Sequence, residues 1–141
     1  MQISNILAKK GSDVVTIRPE QTIREALALL VGKRIGALLV VEAGKVVGLV
    51  SERDIIREAA RNEALFGQPV SGIMTKDVIV AHPGDDLQAV EQTMTVKRFR
   101  HLPIMDHGEL VGIVSIGDVV KAALDEYAGV VETLESRVEK G

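Results

Sequence analysis

The sequence predicts an α/β (α+β) fold: two β-α-β-β-α repeats packed face to face around a pseudo-two-fold axis, with an extended C-terminal helix. Three observations predict it. First, Gly48–Asp54, GLVSERD, recurs as Gly112–Asp118, GIVSIGD, 64 positions on. Second, the same spacing pairs Pro19 with Pro83, Lys33-Arg34 with Lys97-Arg98, Gly44 with Gly108 and Val47 with Val111. A constant offset over that length marks one supersecondary unit present twice. Third, a copy of about 60 residues would bury little core alone, so the two copies are expected to pack together.

Each element follows from local chemistry. Val14–Ile17 is a β-branched run before Pro19, so an opening strand. Thr22-Ile23-Arg24-Glu25 is a capping box. It starts a helix with Ile23, Ala26, Leu27 and Leu30 on one face, ending near Gly32-Lys33. Ala37–Val41 is wholly apolar, as a buried strand is. Glu42-Ala43-Gly44 is a tight turn into the return strand Lys45–Val50. Ser51 begins a second helix that runs to about Arg61. The second copy repeats this as Val78–Ala81, Asp86–Lys97, His101–Met105, Glu109–Val114 and a helix from Ile116. Ahead of the copies, Ile3–Leu7 (ISNIL) resembles Val70–Met74 (VSGIM) with a three-residue shift, and Asn62–Gln68 is a polar joint. The expected division is residues 1–61 for repeat one, 62–69 for a linker, 70–124 for repeat two and 125–141 for a helical extension.

Composition excludes several functions. There is no cysteine, which removes disulfides, thiolate nucleophiles and Cys-ligated metals. Aromatics are 2%, too few for stacked single-strand-binding platforms. The net charge of −3 argues against general nucleic-acid binding. Ala26–Val31 and Ala37–Val41, the longest apolar runs, fall far short of the ~20 residues a bilayer needs. The start MQISNILAKKG lacks the layout of a signal peptide, so the expected location is cytoplasmic. No Walker A, G-x-G-x-x-G or G-x-S-x-G motif is present. His107-Gly108-Glu109 matches H-x-E but lacks the P-C-x-x-C that a zinc deaminase needs, and reads as a turn. The expectation is therefore no enzyme, no catalytic residue and no metal.

Two repeats closing on G-(V/I/L)-V-S-x-x-D, with Ile73-Met74-Thr75 opening the second and Arg100–Ile104 (RHLPI) starting its middle strand, resemble a pair of CBS domains, the modules named for cystathionine β-synthase. The resemblance spans nearly the whole chain, and its length points to stand-alone bacterial CBS-pair proteins. It implies an adenine-nucleotide sensor, with AMP, ADP, ATP or NAD(H) held in clefts between the repeats. It places the ribose on Asp54 or Asp118, with Ser51 and Ser115 beside them. Read without the resemblance, S-x-x-D is itself a capping box, while a helix N-terminus also suits phosphate and a carboxylate suits ribose hydroxyls. The resemblance brings Arg100 and His101 to the phosphates, favouring a phosphorylated ligand over S-adenosylmethionine. Copy one has Gly36 and Ala37 there, so the clefts are unequal, and Arg53 is placed to compensate where copy two has Gly117. Thr16 and Val80, ending the opening strands, fall where the family reads the adenine.

After Asp118, Val120, Leu124, Tyr127, Val131, Leu134 and Val138 alternate at spacings of four and three, a heptad seam. It either packs back on its own domain or joins a homodimer, which is the preferred reading and agrees with the way CBS pairs dimerise. Two functions remain open. One is a nucleotide sensor acting on an unknown regulated protein. The other is a homodimeric interaction scaffold with vestigial clefts.

Overall fold

The repeat seen in the sequence is repeated in the backbone hydrogen bonds of a computed structural model, which describes residues 1–11 and 13–140, with side chains as far as residue 128. In order the elements are α1 (Ile3–Lys10), β1 (Thr16–Ile17), α2 (Ile23–Lys33), β2 (Ala37–Glu42), β3 (Lys45–Ser51), α3 (Glu52–Ala59), two short 3-10 turns (Leu65–Gly67 and Val70–Gly72), α4 (Leu87–Lys97), β4 (His101–Asp106), β5 (Glu109–Ser115) and α5 (Ile116–Lys140). They form two compact units: Asp13–Ile79, and Met1–Ser12 with Val80–Gly141.

In the first unit β1 pairs parallel with β2, and β2 antiparallel with β3. The β2–β3 turn is Ala43-Gly44, both at positive φ (51° and 76°), as a two-residue turn matching strand twist requires. In the second unit β4 and β5 form the same hairpin, turning at His107-Gly108. Even the register shift recurs, between Val40 and Val41 and between Ile104 and Met105. Thr22 caps α2 through the expected box with Glu25, and Asp86 caps α4.

Three expected elements differ. The opening strand of copy one is two residues, Thr16–Ile17, rather than Val14–Ile17. Its counterpart, expected over Val78–Ala81, is a single parallel bridge from Ala81 to Ile104. β-Branched sequence supplies strand propensity, but only the residues that reach the neighbouring ladder are paired. The helix expected to reach Arg61 ends at Ala59.

The two lead-in segments are exchanged. α1 precedes copy one yet docks on copy two: the Ile3 and Ser4 amides donate to the Asp85 and Pro83 carbonyls, and the Leu87 amide donates to Met1 O. The segment before copy two docks on copy one in the same way. There the Val70 and Ser71 amides donate to Gln21 and Pro19, and the Ile23 amide donates to Gln68 O. Ile3 and Ile6 are buried with Leu87, Met94 and Ile104. Val70 and Leu65 are buried with Ile23, Leu38 and Ile55. The polar joint read at Asn62–Gln68 thus carries an apolar anchor, Leu65. Each lead-in ends against a glycine. A Cβ at Gly48 would lie 2.5 Å from Met74 Sδ, and one at Gly112 would lie 2.6 Å from Leu7 Cδ2. Close approach, not backbone strain, makes glycine necessary at these two places.

Candidate functional site

In the first unit the end of β3 delivers Ser51 beside the start of β2. Ala37 is the registered partner of Ser51, and the Glu52 amide donates to Gly36 O at 3.0 Å. Ser51 Oγ accepts from the Asp54 amide at 3.2 Å. Asp54 Oδ2 accepts from the Ser51 amide at 3.0 Å and from its hydroxyl at 2.9 Å. Gly36, Ala37, Ser51 and Asp54 are thereby brought together by one strand pairing and one helix cap. Thr16 pairs with Leu39, two residues along the same strand, and Arg53 is exposed on the first turn of α3. Thr16 also lines an open pocket of about 550 Å³ with Arg18, Glu20, Val41 and Glu42, which lies toward the hairpin end of β2, away from Ser51.

The second unit builds the same constellation. Ser115 is the registered partner of His101, and the Ile116 amide donates to Arg100 O at 2.8 Å. The Asp118 amide donates to Ser115 Oγ at 3.1 Å, and the Ser115 amide to Asp118 Oδ2 at 2.8 Å. Arg100 is exposed and His101 half-buried; Val80 is exposed, next to the Ala81 bridge.

Two cations that sequence reasoning did not single out complete these sites. Arg57 donates to Asp54 Oδ1 at 2.7 Å. Lys10, in the last turn of α1, donates to Asp118 Oδ2 at 2.6 Å and to Ile113 O at 2.9 Å. Burial pushes the Asp118 carboxyl up, but its bonds to Lys10 and Ser115 outweigh this and hold it below the usual carboxylate value. Arg57 was findable, since residues three apart on a helix are neighbours. Lys10 was not, because 108 residues separate it from Asp118. Lys10, Lys9, Lys121, Asp118 and Asp125 line a pocket of about 260 Å³ alongside α1 and α5.

Chemically, each site offers an oriented carboxylate at the start of a helix whose dipole favours negative groups. The carboxylate suits neutral donors such as a pair of sugar hydroxyls. Among the described residues there is no group of three His, Asp or Glu placed to hold a metal. Val120, Leu124 and Tyr127 are 41, 61 and 68% exposed on α5, while Val131, Leu134 and Val138 lie outside the described side chains. Among the described residues no helix is long and apolar enough to cross a membrane.

Duplicated α-β-β-α units, each with an S-x-x-D cap at the end of its hairpin, define a tandem-repeat module. The CBS domain family matches at residues 4–61 and 70–125, and the chain belongs to it. It is 37% identical over 128 residues to the CBS domain-containing protein YhcV of Bacillus subtilis, covering 90% of this chain and 91% of that one. It is similar to the crystal structure of the CBS-domain containing protein ATU1752 from Agrobacterium tumefaciens, with a TM-score of 0.84, 41% identity, and coverage of 87% of this chain and 99% of that one. The CBS domain pair of protein MJ0100, solved in complex with 5-methylthioadenosine and S-adenosyl-L-methionine, aligns with a TM-score of 0.79 at 26% identity, covering 89% of this chain and 98% of that one.

Proposed function

We propose that this chain is a non-enzymatic regulatory module that binds an adenine nucleotide beside Asp118, and in a second, unequal site beside Asp54. The carrying observation is the pair of buttressed carboxylates, each fixed by its own serine at a helix start and next to the first residue of a strand. The adenosine compounds bound to the MJ0100 pair support an adenosine-containing ligand here. Arg100 and His101, at the mouth of β4, favour AMP, ADP, ATP or NAD(H) over an unphosphorylated compound. Gly36 and Ala37 make the Asp54 site the more neutral one. Thr16 and Val80 are assigned to the adenine, and Arg53 to the phosphates of the Asp54 site. Signalling is assigned to a cytoplasmic homodimer joined along the exposed Val120–Leu124–Tyr127 seam of α5.

One observation favours a second reading, a scaffold whose sites are vestigial: both carboxylates already have a cation, Arg57 or Lys10. The test is a thermal-shift panel of AMP, ADP, ATP, NAD, NADH and S-adenosylmethionine on nucleotide-free protein of measured solution mass, with Asp54→Asn and Asp118→Asn. A ligand at 100 times its Kd adds about 2.7 kcal/mol, a shift of several degrees. The expected result is a shift with a phosphorylated ligand that Asp118→Asn removes. No shift with any ligand overturns the nucleotide reading and favours the scaffold, and a monomeric mass overturns the dimer.

A further inference from the structure

We propose that Lys10 is an exchangeable counter-ion of Asp118 that makes this site prefer phosphorylated over neutral adenosine ligands. The inference deepens the nucleotide reading above and rests on it. The Lys10 ammonium occupies Asp118 Oδ2 at 2.6 Å and is steadied by Ile113 O at 2.9 Å. Oδ2 also accepts from the Ser115 amide, so a ribose hydroxyl that takes this oxygen competes with the ammonium for it. The displaced charge needs a partner. The lysine side chain is 39% exposed on the end of α1, so it has room to swing on its four-carbon stem. A nucleotide brings an anion with its ribose, and the lysine passes from carboxylate to phosphate with its charge still paired. Adenosine brings none, so its binding breaks an ion pair and forms no other. The neighbouring pocket is lined by Lys9 and Lys121 as well as by Asp118 and Asp125, so the displaced ammonium stays beside two further cations that an anion there would pair with. The Asp54 site lacks this device: its cation, Arg57, sits on the same helix as the carboxylate and is bound to Oδ1, leaving Oδ2 to the serine.

The experiment is calorimetric titration of nucleotide-free protein with AMP and with adenosine, for the wild type, Lys10→Met, Lys10→Arg and Asp118→Asn. The wild type is expected to bind AMP at least about tenfold more tightly than adenosine, the size of a hydrogen bond between charged groups. Lys10→Met is expected to collapse that ratio about fivefold or more, tightening adenosine and weakening AMP, while Lys10→Arg keeps most of it. A ratio within twofold of wild type in Lys10→Met, with Asp118→Asn losing both ligands, overturns the role of Lys10 and leaves the nucleotide reading standing. Binding of neither ligand by the wild type overturns both. If Lys10→Met does not fold, NMR of wild-type protein with ¹³C-methylated lysines decides: the Lys10 signal moves on AMP saturation, and an unmoved signal overturns the proposal.

Discussion

Asp54 and Asp118 occupy the same position in two copies of one motif, and their serines cap them with nearly the same bonds. The copies part at the counter-ion. Asp54 is paired within its own helix, by Arg57 three residues on. Asp118 is paired by Lys10, which reaches it from α1 at the far end of the chain. A duplicated motif thus keeps its cap, which depends on four consecutive residues. Its charge environment is free to diverge, because that depends on whatever lead-in segment docks beside it. One site is electrostatically self-contained and the other is hostage to the docking of α1.

The largest effect expected from breaking this comparison comes from α1. Ile3 is fully buried in the core of the second unit, and Ile3→Ala removes both its transfer free energy and its packing. The expected cost is about 2–5 kcal/mol in urea unfolding. A cost under about 1 kcal/mol would show that α1 is a loosely held arm and that Asp118 is not bound to its fate.

A smaller effect sharpens the comparison at the two glycines. At Gly48 a new methyl group meets Met74 Sδ and Cγ at 2.5 and 2.8 Å, and also the Thr75 backbone oxygen at 3.1 Å. At Gly112 only the branched tip of Leu7 is in the way. A side-chain tip moves aside more easily than a backbone held by the paired Leu49–Thr75 hydrogen bonds. Gly48→Ala is expected to cost about 1–3 kcal/mol and Gly112→Ala distinctly less. Equal midpoints for the two variants in denaturant would mean that the lead-ins are not held differently.

What the sequence made legible follows the same division between local and distant. The caps at Thr22 and Ser51 and both hairpins each depend on a few adjacent residues. The family resemblance was legible because its motifs are short and contiguous. Lys10 beside Asp118 and the exchange of lead-ins were hidden, since periodicity says that Ile3 and Ile6 share an apolar face but not which core receives it. The opening strand of copy two was overread for a related reason. Val78, Ile79 and Val80 have strand composition, yet only Ala81 meets the Ile104 ladder, and Ile79 and Val80 are exposed.

The smallest expected effect lies in the pH dependence of stability, and it isolates the pair that distinguishes the second site. The Asp118 carboxyl is held below its unfolded value, so ionised Asp118 contributes stability that is fully present above about pH 4, the unfolded carboxylate value. That contribution is lost as pH falls through the lower folded value, where protonation releases Lys10. Asp118→Asn, which keeps an acceptor for the cap, should flatten the acid limb of the stability curve below pH 4 and leave neutral stability lower by about 1 kcal/mol or less, since the pair is partly exposed. Lys10→Met should flatten the same limb less, because the Ser115 amide still favours the ionised carboxylate. The comparison is read from denaturant midpoints between pH 2.5 and 7. An acid limb unchanged in both variants would mean that the contact of Lys10 with Asp118 carries no free energy, and the counter-ion would then not distinguish the two sites.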